Sequence, residues 1–146
     1  MTNQEIKKAW NQMKKDIKKE LGEDFSYGFT MSAKQLENRT ATYCIRLATT
    51  YEWDIDCVES EDARIQAWED RDQETIERKA RIHAEHLEKI ERIRAKIAKF
   101  GTKENEVAEI TTKVVTSKAF KKFSDVVGGV EWEPEVKDCY YIRFHY

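Results

Sequence analysis

The residues best suited to chemistry fall within one helical turn, where His83 and His86 flank Glu85 in a His-Ala-Glu-His run. Two imidazoles three residues apart on a helix share a face and could both reach one metal ion. A zinc site needs three or four converging ligands, and neither an H-E-x-x-H run nor a cysteine pair lies nearby. His145, the third histidine, is far away in sequence. The plainer expectation places His83 in an apolar seam and His86 on a solvated flank, with no metal and no cofactor.

Nucleophilic and phosphate chemistry find less support. Cys44, Cys57 and Cys139 are an odd set at wide spacings without C-x-x-C, so they suggest neither a disulfide framework nor a closed zinc site and suit a reducing, cytoplasmic compartment. G-x-S-x-G is absent, and Gly128-Gly129 precedes no Lys-Ser or Lys-Thr that would mark a phosphate loop. Carboxylates are abundant, yet abundance on an exposed helix solvates it and does not imply acid/base work. The expectation is a protein that is not an enzyme.

Charge segregation carries more information than any motif. The chain has 146 residues, 37% of them charged, and a net charge of −2 that conceals an uneven distribution. From Glu52 to Glu77 the acids Glu52, Asp54, Asp56, Glu59, Glu61, Asp62, Glu69, Asp70, Asp72, Glu74 and Glu77 meet only Arg64 and Arg71. Beyond them Arg78, Lys79, Arg81, Lys89, Arg92, Arg94, Lys96 and Lys99 reverse the sign.

Closely spaced carboxylates resemble a phosphate backbone, so the acidic stretch could occupy a nucleic-acid-binding groove on a basic partner and steer the encounter. The candidate partner-binding residues are Glu61, Asp62, Glu69, Asp70, Asp72, Glu74 and Glu77, with Trp68 as a hot-spot anchor. The competing reading is that these acids solvate a helix and favour its N-terminal end through the dipole, with Trp68 and Ile65 capping the protein's own core.

Two further classes stay open. In one, Lys14, Lys15, Lys18, Lys19 and the lysines interleaved with Phe120 and Phe123 hold nucleic-acid phosphates while Tyr140, Tyr141 or Phe144 stack on bases. An isoelectric point near 6.0 and the lack of a recognition-module motif count against it. In the other, the seam from Ile76 to Ile97 forms a coiled-coil homodimer. In size, Lys/Glu richness and lack of catalytic motifs the chain resembles the accessory proteins of bacteriophages and mobile elements, a set that includes anti-CRISPR and other anti-defence inhibitors. That resemblance implies inhibition of a host nucleic-acid-binding complex and assigns no residue a role.

The elements that must position these groups follow from periodicity. Ile6, Trp10, Met13, Ile17 and Leu21 recur at three-to-four spacing, Thr2 with Glu5 forms a capping box, and Gly22 is a natural left-handed stop. Phe25, Tyr27, Phe29 and Met31 alternate with small polar residues as a strand would. Tyr43 to Trp53 fits a strand by alternation, yet Leu36, Tyr43, Leu47 and Tyr51 also fit a helix, so residues 33–53 are left open.

From Ser60 to about Phe100 there is neither Pro nor Gly, which predicts one helix roughly 60 Å long. Its seam is Ile76, Ala80, His83, Leu87, Ile90 and Ile97, broken by Arg94 and widened by Ile82, Ile93 and Phe100, so that the distal half has a face to bury. Gly101 and Thr102 mark a stop and restart, so residues 102–127 would return as the second arm of a helical hairpin, although 110–116 are β-branched enough for a strand. Val136 to Tyr146 alternates as a strand, with Pro134 at its entrance or on an edge.

The fold class expected is α+β: a small antiparallel sheet with an N-terminal helix and a long projecting αα-hairpin. Residues 1–59 and 128–146 would form the base and 60–127 the hairpin of a single domain. No window approaches 18 apolar residues and no secretory leader is recognisable, so neither membrane insertion nor export is expected.

Overall fold

A computed structural model describes residues 1–100 and 103–146. The chain is an α+β protein whose four-stranded antiparallel sheet has the order β1-β2-β4-β3. It divides into two compact units, Met1–Arg46 with Glu104–Tyr146, and Leu47–Lys103. Among the described residues no helix is long and apolar enough to cross a membrane.

In the first unit, α1 (Asn3–Leu21) forms where its periodicity requires. The Thr2 hydroxyl accepts the Glu5 amide at 3.2 Å and the Glu5 carboxylate accepts the Thr2 amide at 2.7 Å. These hydrogen bonds hold the Glu5 carboxyl below its ordinary pKa. Gly22 closes the helix in the left-handed region at φ 70°. The buried stripe is Ile6, Trp10, Met13 and Ile17.

The expected strand from Phe25 to Met31 is mostly something else. Asp24 accepts the Ser26 amide at 3.2 Å, a 3-10 turn follows over Ser26–Gly28, and only Phe29–Thr30 pairs, as β1. A short helix α2 (Ala33–Glu37) is capped by Ser32, whose hydroxyl accepts the Gln35 amide, and leads into β2 (Thr40–Arg46). The open region thus resolves into helix, strand and helix again, since α3 (Ala48–Gln66) begins two residues after β2.

β2 alternates strictly, with Ala41, Tyr43 and Ile45 buried. Its partner β4 (Cys139–His145) sets Phe144 opposite Ala41, Ile142 opposite Tyr43 and Tyr140 opposite Ile45, so one sheet face is continuous and apolar. β3 (Glu131–Val136) is an edge strand with Pro134 inside it, a position where the missing N–H breaks no shared ladder.

Residues expected as one returning helix are two. α5 (Glu104–Val115) and α6 (Lys118–Val127) are separated at Ser117, whose hydroxyl accepts the Phe120 amide at 3.2 Å. Ile110 to Val115 is helical despite its β-branching, with Thr111, Thr112 and Thr116 returning their hydroxyls to carbonyls of the preceding turn. α6 packs along α1, and Val107, Val114, Phe120 and Phe123 join the core with the α1 stripe and the sheet face.

The second unit is itself a helical hairpin, but of a different pair than expected. The predicted single helix from Ser60 to Phe100 is broken: α3 ends at Gln66 and α4 runs over Gln73–Phe100. The break needs neither Pro nor Gly. The amides of Ala67 and Trp68 close α3 on Ala63 and Ile65, and the Asp72 carboxylate accepts the Thr75 amide at 2.7 Å to start α4. What drives the fold-back is burial: Tyr51, Ile55 and Val58 on α3 meet Ile90 and Ile93 on α4, with Ile97 packed against them. A continuous helix would leave both stripes in water. The stop and restart assigned to Gly101 and Thr102 lie outside the described residues.

Candidate functional site

The seam expected on α4 holds in the distal half, at Ile90, Ile93 and Ile97, and is displaced around the helix in the proximal half. Ile76 and Leu87 are exposed, as are Ala80 and His83, while the covered face runs through Thr75, Lys79, Ile82, His86, Ile90, Ile93 and Ile97. This reverses the two histidines: the His86 side chain is 17% exposed and the His83 side chain 49%. The orientation of α4 is set by α3, which a reading of α4 alone could not include.

Both imidazoles converge on a residue of α3. His83 Nδ1 lies 2.6 Å from Asp62 Oδ2, and His86 Nδ1 lies 2.8 Å from Asp62 Oδ1. An ionised carboxylate only accepts, so each Nδ1 donates its hydrogen and each neutral ring keeps its lone pair at Nε2. Asp62 is 14% exposed and sits at the helical position that follows Tyr51, Ile55 and Val58 along the buried face of α3. The His86 hydrogen bond, ahead of that from His83 and against the effect of burial, holds the Asp62 carboxyl below its ordinary pKa. Among the described residues no three of His, Cys, Asp and Glu are placed to hold a metal ion.

This arrangement has a pH signature. A carboxyl whose pKa is depressed by folding adds stability above its unfolded pKa and loses it as pH falls through the folded value. The hairpin should therefore weaken below about pH 4. Asp62→Asn should lack that component, visible as a shallower acid slope in the hydrogen-exchange protection of Tyr51, Ile55, Ile90 and Ile93. Equal slopes in the two proteins would show that Asp62 contributes no such linkage.

The other candidate partner-binding residues cluster around the turn between α3 and α4, and several are occupied. Asp70 pairs with Lys79 at 3.0 Å, Asp72 caps α4, and Glu61 stands 3.8 Å from Arg64. Trp68 is 37% exposed; its carbonyl accepts Lys79 Nζ at 2.7 Å and the Arg78 guanidinium lies 5.7 Å from its ring centroid. Glu77 accepts Gln73 Nε2 at 3.4 Å, while Glu69 and Glu74 are exposed. The turn thus uses much of its charge on itself.

A freer acidic surface lies on α3, within the acidic stretch from Glu52 to Glu77 but outside the candidate residues chosen from it. Glu52, Asp56 and Glu59, at spacings of four and three, line one flank of the helix, all exposed. None has an ion-pair partner among the described residues. Beside them Trp53 is 65% exposed, the most open large hydrophobic side chain described. The signal was an aromatic among acids, hidden because the 43–53 alternation also suited a strand.

Among the described residues the remaining chemical groups form no centre. Burial, reinforced by the neighbouring Cys139 thiol, pushes the Cys44 thiol up to about 12, which keeps it protonated and poorly nucleophilic at neutral pH. On the other unit, Lys19, Lys118 and Lys122 line a cleft of about 380 Å³ between α1 and α6, but Asp16 and Glu20 share it. Glu20 accepts the Lys118 amide at 2.9 Å, so a carboxylate of the protein itself already occupies the start of α6. The fold and this hairpin define an α+β protein with an acidic helical surface. Compared with family models, curated proteins and solved structures, the chain matches none of them.

Proposed function

We propose that the protein is a non-enzymatic, protein-binding inhibitor or regulator whose acidic hairpin occupies a basic, nucleic-acid-binding surface of its target. The observation that carries this reading is the row Glu52, Asp56 and Glu59 beside the open indole of Trp53. Carboxylates at regular helical spacing, with no ion-pair partner among the described residues, present the charge pattern that a phosphate-binding surface accepts. Trp53 supplies the apolar anchor such a contact needs, a role common for Trp at interface centres.

The test is charge reversal on α3 rather than at the turn, because Asp70 and Asp72 also hold the fold. Full-length protein carrying Glu52→Lys, Asp56→Lys and Glu59→Lys should keep its circular dichroism spectrum. It should lose at least about tenfold in affinity for a basic target captured by the wild type, since each rim charge steers and discriminates. Undiminished binding by the reversed protein would reject the surface. Electrophoretic shift of labelled DNA or RNA by the protein alone would instead favour the lysines of α1 and α6, with affinity falling steeply as salt rises.

A further inference from the structure

We infer that Asp62, His83 and His86 form a proton-responsive clasp across the α3–α4 hairpin, which lowers the negative charge of the docking surface as the imidazoles take up protons while keeping the hairpin closed. The geometry supplies both halves of this behaviour. Each Nδ1 already donates to the carboxylate, at 2.6 and 2.8 Å, so a proton arriving at either ring must enter at Nε2, away from Asp62. No hydrogen bond breaks. The bond becomes charge-assisted, and one positive charge is added to the hairpin.

The charged groups around the cluster come from both helices. By helical position α3 turns Asp62 toward α4, with Glu59 and Glu61 on its flanks and Glu61 tied to Arg64 at 3.8 Å. From α4 come His83, His86 and Lys79, whose ammonium is held by the Trp68 carbonyl and the Asp70 carboxylate. Carboxylates and ammonium groups ordinarily keep their charge between about pH 5 and 8, whereas imidazole is the side chain that changes charge there. Glu59, part of the proposed docking row, is on α3 one turn before Asp62. Protons gained by the clasp therefore act close to the acids that would meet a cation. The effect on docking rests on the function proposed above; the clasp itself does not.

Two measurements on the full chain separate these levels. Long-range proton–nitrogen NMR at about pH 8, where imidazole is ordinarily neutral, should show the Nδ1–H form for His83 and His86, and Asp62→Asn should return them toward the commoner Nε2–H form. Finding Nε2–H in both rings of the wild type, or no change in the variant, overturns the clasp. Fluorescein-labelled poly-L-lysine at fixed ionic strength is the second probe. Its affinity should fall about tenfold from about pH 7.5 to 5.5, and under about twofold when His83→Gln and His86→Gln are combined.

An equal fall in the double variant overturns the proton response, as does loss of helical circular dichroism in the wild type over that range. Failure of poly-L-lysine to bind at the higher pH refutes the docking reading, while the tautomer measurement still decides the clasp.

Discussion

Replacing Trp10 with alanine is expected to cost about 3–5 kcal/mol, the largest single loss in the unit built on the sheet. Trp10 is 2% exposed and sits where α1, α6 and the sheet meet. Its ring centroid lies 5.2 Å from Phe29 and Phe123 and 6.2 Å from Phe144, with interplanar angles of 88°, 69° and 65°. Edge-to-face pairs of this kind add about 0.5–1.5 kcal/mol beyond the area they bury. Removing the indole therefore deletes contacts to three elements at once and leaves a cavity that rings anchored on separate backbones cannot close.

The indole also carries its own cost. Trp10 Nε1 is buried without a hydrogen-bond partner among the described residues. An unpaired buried donor forfeits about 1–3 kcal/mol of hydration. Trp10→Phe should accordingly be much milder than Trp10→Ala, since it gives up some volume but also the orphaned N–H. Urea unfolding of the two variants measures this directly. A Phe variant as unstable as the Ala variant would mean that the N–H is satisfied or that shape alone governs the site.

How legible all this was depended on whether the determining interactions were local. α1 could be read outright because stripe, capping box and terminal glycine all lie within one short stretch. β4 could be read because Tyr140, Ile142 and Phe144 alternate with Tyr141, Arg143 and His145. Helix α3 could not, because Thr49, Tyr51 and Trp53 satisfy the two-residue period of a strand, and its helical stripe of Tyr51, Ile55 and Val58 emerges only from a longer window.

The break at residues 67–72 was invisible for a related reason. A run without Pro or Gly is compatible with helix, and what ends it is the gain from folding Ile90 and Ile93 onto α3, an interaction between residues more than thirty positions apart in sequence. The same gain fixes the rotation of α4. Judged alone, α4 should bury Ile76 and Leu87; packed on α3, it partly covers His86 and leaves those two outside. The acidic character of the hairpin was plain from composition, but its division into acids that hold the fold and acids free to meet a partner depended on the hairpin existing. Asp62 passed from one group to the other once His83 and His86 came within reach.

Gly28→Ala is expected to destabilise the sheet unit by about 1–3 kcal/mol through overpacking, although the change adds a single methyl group. Gly28 is buried at the end of the 3-10 turn that delivers the chain into β1. A Cβ there would lie 2.5 Å from Cε2 of Tyr43 and 2.8 Å from the carbonyl oxygen of Cys44. The Tyr43 ring is locked against Phe29, with centroids 4.4 Å apart, and the Cys44 carbonyl belongs to β2, which is paired along its length with β4. Neither neighbour can give way without disturbing the sheet, so the turn itself must move and carry Phe29 with it.

That origin can be separated from a simple clash with a side chain. In the Gly28→Ala background, Tyr43→Val removes the ring but not the carbonyl, so urea denaturation of the double variant should show no recovery beyond the single. Full recovery would locate the conflict in the Tyr43 ring alone and free the backbone of β2 from any part in selecting glycine.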